Sequence, residues 1–292
     1  MASSFAATDL FNVNGIVAVV SGGGTGLGRM MAKALAHNGA RKVYIIGRRK
    51  DRLEAAAQEG PPGVIIPVVG DITSQTSLQE IAAQVQAEVG FIHLLVCNAG
   101  INGPGAGSRD EATSLDEFVE KAWAVPTAEF TDTFNVNITS VYYTVLAFLK
   151  LLDAGNNKEN LWAEGVSSQI VTISSAAAFS RSRLVELAYG ASKAGVTHLA
   201  KHLASEFSHW KIRSNIIAPG FYPSEMTVDF MGGKDLTKEG SMPHTFIPVT
   251  RIGTESEMAG HILSLVSRAG AYTNGTVVLT DGGALAVSPS TY

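Results

Sequence analysis

With one cysteine in 292 residues, Cys97, the chain can form no internal disulfide, and no Cys/His cluster has the spacing of a zinc site. Cys97 falls in an apolar run, where a buried inert thiol is the expected state. Charge is also sparse. Asp, Glu, Lys and Arg make up 16% of residues, and 22 basic against 26 acidic side chains leave a net charge of −4. That excludes the basic surface by which nucleic acid or an anionic membrane is usually bound. No run reaches the roughly 18 apolar residues of a membrane span, and the first residues lack the basic and apolar regions of a secretory leader. A cytoplasmic location is the expectation. What the chain does have is apolar bulk, 46% of residues, enough to fill the core of one large α/β domain.

Strand and helix signals alternate. Short apolar, β-branched runs fall at 16–20, 43–46, 64–69, 92–97, 169–173, 213–218 and 276–279. Between them lie helical patterns at about 29–38, 53–58, 78–89, 131–152, 187–207 and 255–266. The alternation predicts a single domain over 1–292, a Rossmann-type doubly wound parallel sheet of about seven strands with helices on both faces. Inserts near 101–130 and 154–167 interrupt it, the first with a capping box at Ser114-Leu115-Asp116-Glu117. The segment 221–247, dotted with Phe221, Tyr222, Met226, Phe230, Met231 and Phe246, reads as a mobile apolar lid.

The first strand runs directly into Ser21-Gly22-Gly23-Gly24-Thr25-Gly26-Leu27-Gly28 and a helix. Strand, glycine turn and helix together bring backbone N–H groups and a helix N-terminus up to a diphosphate. The spacing is G-x-x-x-G-x-G rather than the usual dinucleotide G-x-G-x-x-G, and the glycines alone also suit a flexible turn; the flanking elements favour cofactor binding. The second strand ends in Gly47-Arg48-Arg49. An NAD-binding chain places an acid there for the ribose 2′-hydroxyl, an NADP-binding chain an arginine for the 2′-phosphate. Arg48 is therefore the candidate phosphate ligand. Asp71, after the third strand, suits either the adenine amine or an ordinary turn. Asn98-Ala99-Gly100 leave room for a cofactor at the fourth strand's carboxyl end, and His93 in that strand reads as structural.

Tyr189 and Lys193 stand four apart in a helical pattern and share a face. A free phenol has a pKa of about 10, which a cation within roughly 4–6 Å lowers. Ser174 and Ser175 end the fifth strand ahead of that helix, where a hydroxyl can polarise a carbonyl. Asn137 interrupts an apolar helix face and needs hydrogen-bond partners. Taken singly, Asn137 and Ser175 fit structural roles.

Taken together, these residues resemble the short-chain dehydrogenase/reductase family from about Asn12 to Gly283. The turn at 21–28 resembles its T-G-x-x-x-G-x-G, with Ser21 for threonine; Cys97-Asn98-Ala99-Gly100 resembles N-N-A-G; and Tyr189 to Lys193 fits Y-x-x-x-K. Asn215 to Gly220 with Ser224 and Met226 resembles N-x-x-x-P-G followed by T-x-M, and Thr280-Asp281-Gly282-Gly283 the closing D-G-G. The resemblance implies NADP(H) as cofactor and Asn137, Ser175, Tyr189 and Lys193 as the catalytic set. It implies a cofactor site of Ser21, Gly22, Thr25, Gly26, Leu27, Gly28, Arg48, Asp71, Ile72, Asn98, Ala99, Gly100, Tyr189, Lys193, Pro219, Gly220, Tyr222, Ser224 and Met226. The implied reaction is reduction of a hydrophobic ketone or 3-oxoacyl group to a secondary alcohol. Reduction of an imine or activated alkene, or a low-turnover NADP-binding regulator, are the alternatives. The family also implies a dimer or tetramer through the helices near 131–152 and 187–207, with His198, Lys201, His202 and His209 on the interface or on a solvated face. Two departures stand out. Ser175 lies 14 residues before Tyr189, one more than the family's spacing, which leaves Ser174 as a competing candidate. Arg181 and Arg183 in the intervening loop are either ligands for an acidic substrate or solvated charges.

Overall fold

The computed structural model describes residues 5–105, 114–227 and 232–292. Seven strands, β1 (Val17–Ser21), β2 (Lys42–Gly47), β3 (Ile65–Val69), β4 (Leu94–Cys97), β5 (Gln169–Ile173), β6 (Arg213–Pro219) and β7 (Val277–Thr280), form one sheet. All pair in parallel, in the order β3-β2-β1-β4-β5-β6-β7. Every residue of β1 is buried, as expected of a strand covered on both faces rather than one. Pro67 sits in β3 at the sheet's edge, where a missing N–H is tolerated.

The helices are α1 (Ala7–Leu10), α2 (Gly26–His37), α3 (Lys50–Ala57), α4 (Gln75–Glu88), α5 (Leu115–Trp123), α6 (Thr127–Phe134), α7 (Ser140–Gly155), α8 (Leu187–Glu206) and α9 (Glu255–Val266). Successive strand residues point to opposite faces, and the core divides accordingly. Ala18 and Val20 meet Met31 and Leu35 of α2 and Met258 and Ile262 of α9. Val17 and Val19 face Val85 of α4, Val145 and Phe148 of α7 and Val196 of α8. The strand order reverses direction between β1 and β4, which opens a crevice at their carboxyl ends.

The expected helix at 131–152 begins earlier, with α6, and reaches α7 only through a π-turn at Asn135–Thr139. Such one-turn bulges rotate the residues they contain relative to a regular helix, and this one contains Asn137. The segment Thr127–Gly155 has the length and hydropathy, 1.2, of a membrane-crossing helix. Its α7 part contributes to the core, with Val141, Val145, Phe148 and Leu152 buried, while Phe130, Tyr142, Tyr143 and Leu146 are exposed.

The insert at 154–167 bonds to the residues just ahead of β4, β5 and β6. It packs at the amino ends of the strands, the opposite edge of the sheet. Asn156 Oδ1 accepts from Ser168 N (2.7 Å) and its Nδ2 donates to Trp210 O (3.1 Å). These amides satisfy backbone groups that the strand starts would otherwise leave open. His93, 3% exposed, joins the insert to β1. Its Nδ1 accepts from Val17 N (3.0 Å), so Nε2 carries the proton and donates to Asn160 O (2.8 Å).

Burial pushes the His93 imidazole down to about 4 from 6.5. Between those values the unfolded chain takes up a proton that the folded chain refuses, so stability is retained above pH 6.5 and lost as pH falls toward 4. The expected loss is about 3 kcal/mol over that window. Urea titrations of the wild type and His93→Gln between pH 7 and 4.5 would check it: the two curves should converge on acidification. A constant offset between them would show that His93 is not responsible.

Candidate active site

The glycine turn is shaped by what stands behind it. Gly22 has φ 65°, a left-handed conformation that glycine adopts without strain, and Asn98 Nδ2 donates to the carbonyls of Ser21 (3.0 Å) and Gly22 (3.1 Å). A Cβ on Gly28 would overlap Gly22 O and Asn98 Nδ2. Ser21 Oγ accepts from the N–H groups of Asn98 (3.0 Å) and Ala99 (3.2 Å) while donating to Val96 O (3.3 Å). β1 and β4 are thereby tied at their carboxyl ends, and α2 starts at the crevice with its first N–H groups unpaired within the helix.

A cleft of about 450 Å³ runs along that edge. Thr25, Gly26 and Leu27 at the start of α2 line it, with Arg48, Asp71 and Ile72 at one end. Asn98, Ala99 and Gly100 form its middle, Tyr189 and Lys193 its far end, and Ser224 and Met226 another wall. Arg48 is exposed. Asp71 serves as a turn aspartate: its Oδ1 accepts from the N–H (2.9 Å) and hydroxyl (2.7 Å) of Thr73, which hold its carboxyl below the usual range.

At the far end, the Tyr189 phenol lies beside Ser175. Burial raises its pKa, while the Ser175 hydroxyl acts in the opposite direction. Desolvation disfavours the phenolate, and the lowering expected from Lys193 is not among the causes at work here. Lys193 Nζ stands 5.8 Å from the tyrosine ring centroid and donates to Ile173 O (2.9 Å). Burial brings its ammonium down to about 8. Asn137 is 1% exposed, and its Nδ2 donates to Ile101 O (2.9 Å) and Ser192 Oγ (2.9 Å) while its Oδ1 accepts from Ile101 N (2.9 Å). Ser192 Oγ in turn donates to Tyr189 O (2.8 Å). The π-turn thus ties the Gly100 loop to the tyrosine helix.

Several residues assigned to the site from sequence stand behind it. Ser21 and Gly28 shape the turn from within. Pro219 is buried, its carbonyl accepting from Ser175 Oγ (3.4 Å), and a Cβ on Gly220 would meet Asp281. Tyr222 is 4% exposed, with its hydroxyl 2.6 Å from Thr280 Oγ1. These three fix the strand ends rather than line the cleft. Ser174, the competing candidate, points into the α8 packing, bonded to Lys193 O and Thr197 Oγ1.

Leu236 and Ile247 of the segment at 221–247 form a small core with Ile252, and Phe221, Met242 and Phe246 pack against it. Phe221 and Phe246 are half-buried there, their ring centroids 5.5 Å apart; Phe230 and Met231 lie outside the described residues. Sequence reasoning missed Ser192, whose only signal was a small polar residue inside the Tyr-x-x-x-Lys motif. It also missed the chain's last residues. Arg181 N donates to Pro289 O (2.7 Å) and Thr291 N to Phe179 O (2.8 Å), with the Phe179 and Tyr292 rings edge to face at 4.9 Å. This pairing braces the loop whose spacing is one residue long. The Arg181 and Arg183 side chains are exposed.

A dinucleotide fits this cleft on the structure's own terms. The glycine turn gives close backbone approach at one side, a helix N-terminus faces the middle, and a phenol and an ammonium close the far end. The comparisons agree. The family model described as short chain dehydrogenase matches residues 16–233. A short-chain dehydrogenase/reductase of Diaporthe leptostromiformis, PhomF, is 47% identical over 290 residues, covering 99% of this chain and 98% of that one. The rhamnolipids biosynthesis 3-oxoacyl-[acyl-carrier-protein] reductase of Pseudomonas aeruginosa is 30% identical, covering 94% and 97%. Among solved structures, the Pseudomonas aeruginosa RhlG/NADP active-site complex superposes with a TM-score of 0.77 at 29% identity, covering 94% of this chain and 98% of that one. With the motifs, the sheet order and the Tyr189–Lys193 pair all in place, the chain belongs to the short-chain dehydrogenase/reductase family of oxidoreductases.

Proposed function

We propose that the protein is an NADPH-dependent reductase that converts the carbonyl of a hydrophobic ketone or 3-oxoacyl group to a secondary alcohol. The observation that carries the reading is the placement of the half-buried Tyr189 phenol at the cleft's far end, beside Ser175 and with Lys193 Nζ 5.8 Å from its ring centroid. A protonated phenol is the form needed to give a proton to an oxygen gaining electrons. Bound NADPH supplies the hydride. Tyr189 protonates the substrate oxygen, Ser175 hydrogen-bonds that oxygen, and the Lys193 ammonium stabilises the phenolate left behind. Gly100 leaves a space beside both Asn137 Oδ1, 2.9 Å from where a Cβ would stand, and Lys193 Nζ, 3.4 Å from it. A water held there by Asn137 returns the proton.

Arg48 supports NADPH over NADH, since an exposed guanidinium at the end of β2 suits a 2′-phosphate and no acid replaces it. The rhamnolipid relative's 3-oxoacyl substrate supports the substrate class, and exposed Tyr142, Tyr143 and Leu146 on α7 support a homo-oligomer. The test is cofactor consumption against a panel of ketones, 3-oxoacyl thioesters, quinones and cyclic imines, with NADPH and NADH. NADPH should be preferred, and Arg48→Ala should cost about tenfold or more in NADPH affinity with NADH unaffected. Equal use of both cofactors by the wild type would reject the NADPH assignment. Turnover of imines alone would move the substrate to that class.

A further inference from the structure

Arg49 stands at the carboxyl end of β2 and Glu225 on the segment after β6. They are 176 residues apart in sequence and line the same cleft from two sides. Their side chains meet in a two-pronged pair, Arg49 Nη2 to Glu225 Oε2 at 2.6 Å and Nη1 to Oε1 at 3.1 Å. Thr25, in the glycine turn, donates its hydroxyl to the same carboxylate at 3.4 Å. Three elements therefore converge on one carboxylate over the start of α2.

The Glu225 side of this contact is braced. Thr227 Oγ1 donates to Tyr222 O (2.7 Å) and accepts from Ser224 N (3.0 Å), and Tyr222 is fixed to Thr280. Ser224 Cβ lies 3.1 Å from where a Cβ of Gly26 would stand, so the strap rests directly on the helix start. Arg49 is fixed at its root by the end of β2. A planar guanidinium gripping a carboxylate with both prongs has a defined geometry that a lysine pair lacks.

We propose that Arg49 and Glu225 form a clasp across the mouth of the cofactor cleft and are the positioning residues that set how long a bound dinucleotide stays. The clasp closes over the cofactor rather than reading it. Its effect falls on release, and it falls alike on NADPH and NADH, in contrast to Arg48, which distinguishes them. The inference rests on the reading of the cleft as a dinucleotide site. Both side chains are about half exposed, 54% and 49%, and such a pair has a modest strength that salt weakens further.

The experiment is stopped-flow displacement of NADPH and, separately, of NADH from the full-length protein, for wild type, Glu225→Gln, Arg49→Gln and the double variant, with melting temperatures as a control for folding. Glu225→Gln is expected to speed release of both cofactors by about twofold to fivefold, the size of a solvated ion pair. For NADH, which has no 2′-phosphate, Arg49→Gln should give the same acceleration, and the double variant should exceed neither single, because one contact is lost only once. Raising salt should speed NADH release from the wild type toward the variants' rate. Unchanged release rates overturn the clasp. So does a Glu225→Gln variant that holds NADPH more tightly while NADH is unaffected, since Glu225 would then be a rival of the phosphate for Arg49. Binding of neither cofactor to the wild type overturns the dinucleotide reading and the clasp with it, whereas binding with unchanged release overturns the clasp alone.

Discussion

Tyr189→Phe is expected to lower kcat for carbonyl reduction by about a thousandfold while leaving NADPH affinity within about twofold. The substitution removes one oxygen and keeps the ring, so the buried end of the cleft retains its shape. What it loses is the phenol placed beside Ser175. Losing a general acid typically costs a factor of 10² to 10⁴ in rate, and the loss should appear in kcat rather than in KM, since the proton is needed only as the substrate oxygen gains charge. Because burial raises the phenol's pKa, the acid form persists through neutral pH, and reduction should not fall between pH 6 and 7.5. Oxidation of an alcohol needs the phenolate and should instead rise with pH. A Tyr189→Phe protein that keeps a tenth of wild-type turnover would remove the phenol from the mechanism, and with it the main support for the reductase reading.

The parts of the molecule that could be read from sequence are those whose chemistry is local. The seven strands show as apolar runs, which in β1, β4, β5 and β6 go with burial of every residue, while the edge strands β3 and β7 are only partly covered; the β5 and α9 boundaries match the expected ones. Tyr189 and Lys193 could be paired because one helix turn separates them. The Arg49–Glu225 pair and the bracing of Phe179 by Thr291 had no such signature, since their partners lie 176 and 112 residues apart. The π-turn around Asn137 was also invisible, because a one-residue change in helix register leaves the apolar pattern on either side intact. Ser21, Gly28 and Tyr222 belong to motifs that build the site, and a motif does not say which of its residues touch the ligand and which hold the others in position.

Gly28 gives the sharpest instance of that difference. Gly28→Ala should weaken NADPH binding by at least tenfold and destabilise the fold by about 1–3 kcal/mol, the usual range for overpacking. The added methyl would occupy the space of Gly22 O and Asn98 Nδ2. Gly22 O belongs to backbone, and Asn98 is held by its bonds to Ser21 and Gly22, so neither can move without opening the turn. The helix start would shift away from the crevice, and its N–H groups would no longer converge on a phosphate. Gly260→Ala supplies the contrast. That glycine lies on α9 with nothing within 4 Å of an added Cβ, and there alanine should stabilise the protein by up to about 1 kcal/mol through helix propensity. Chemical unfolding and NADPH titration of both variants would check the pair. If Gly28→Ala binds NADPH as the wild type does, the turn has slack that the Asn98 contacts do not allow, and the diphosphate must be held elsewhere in the cleft.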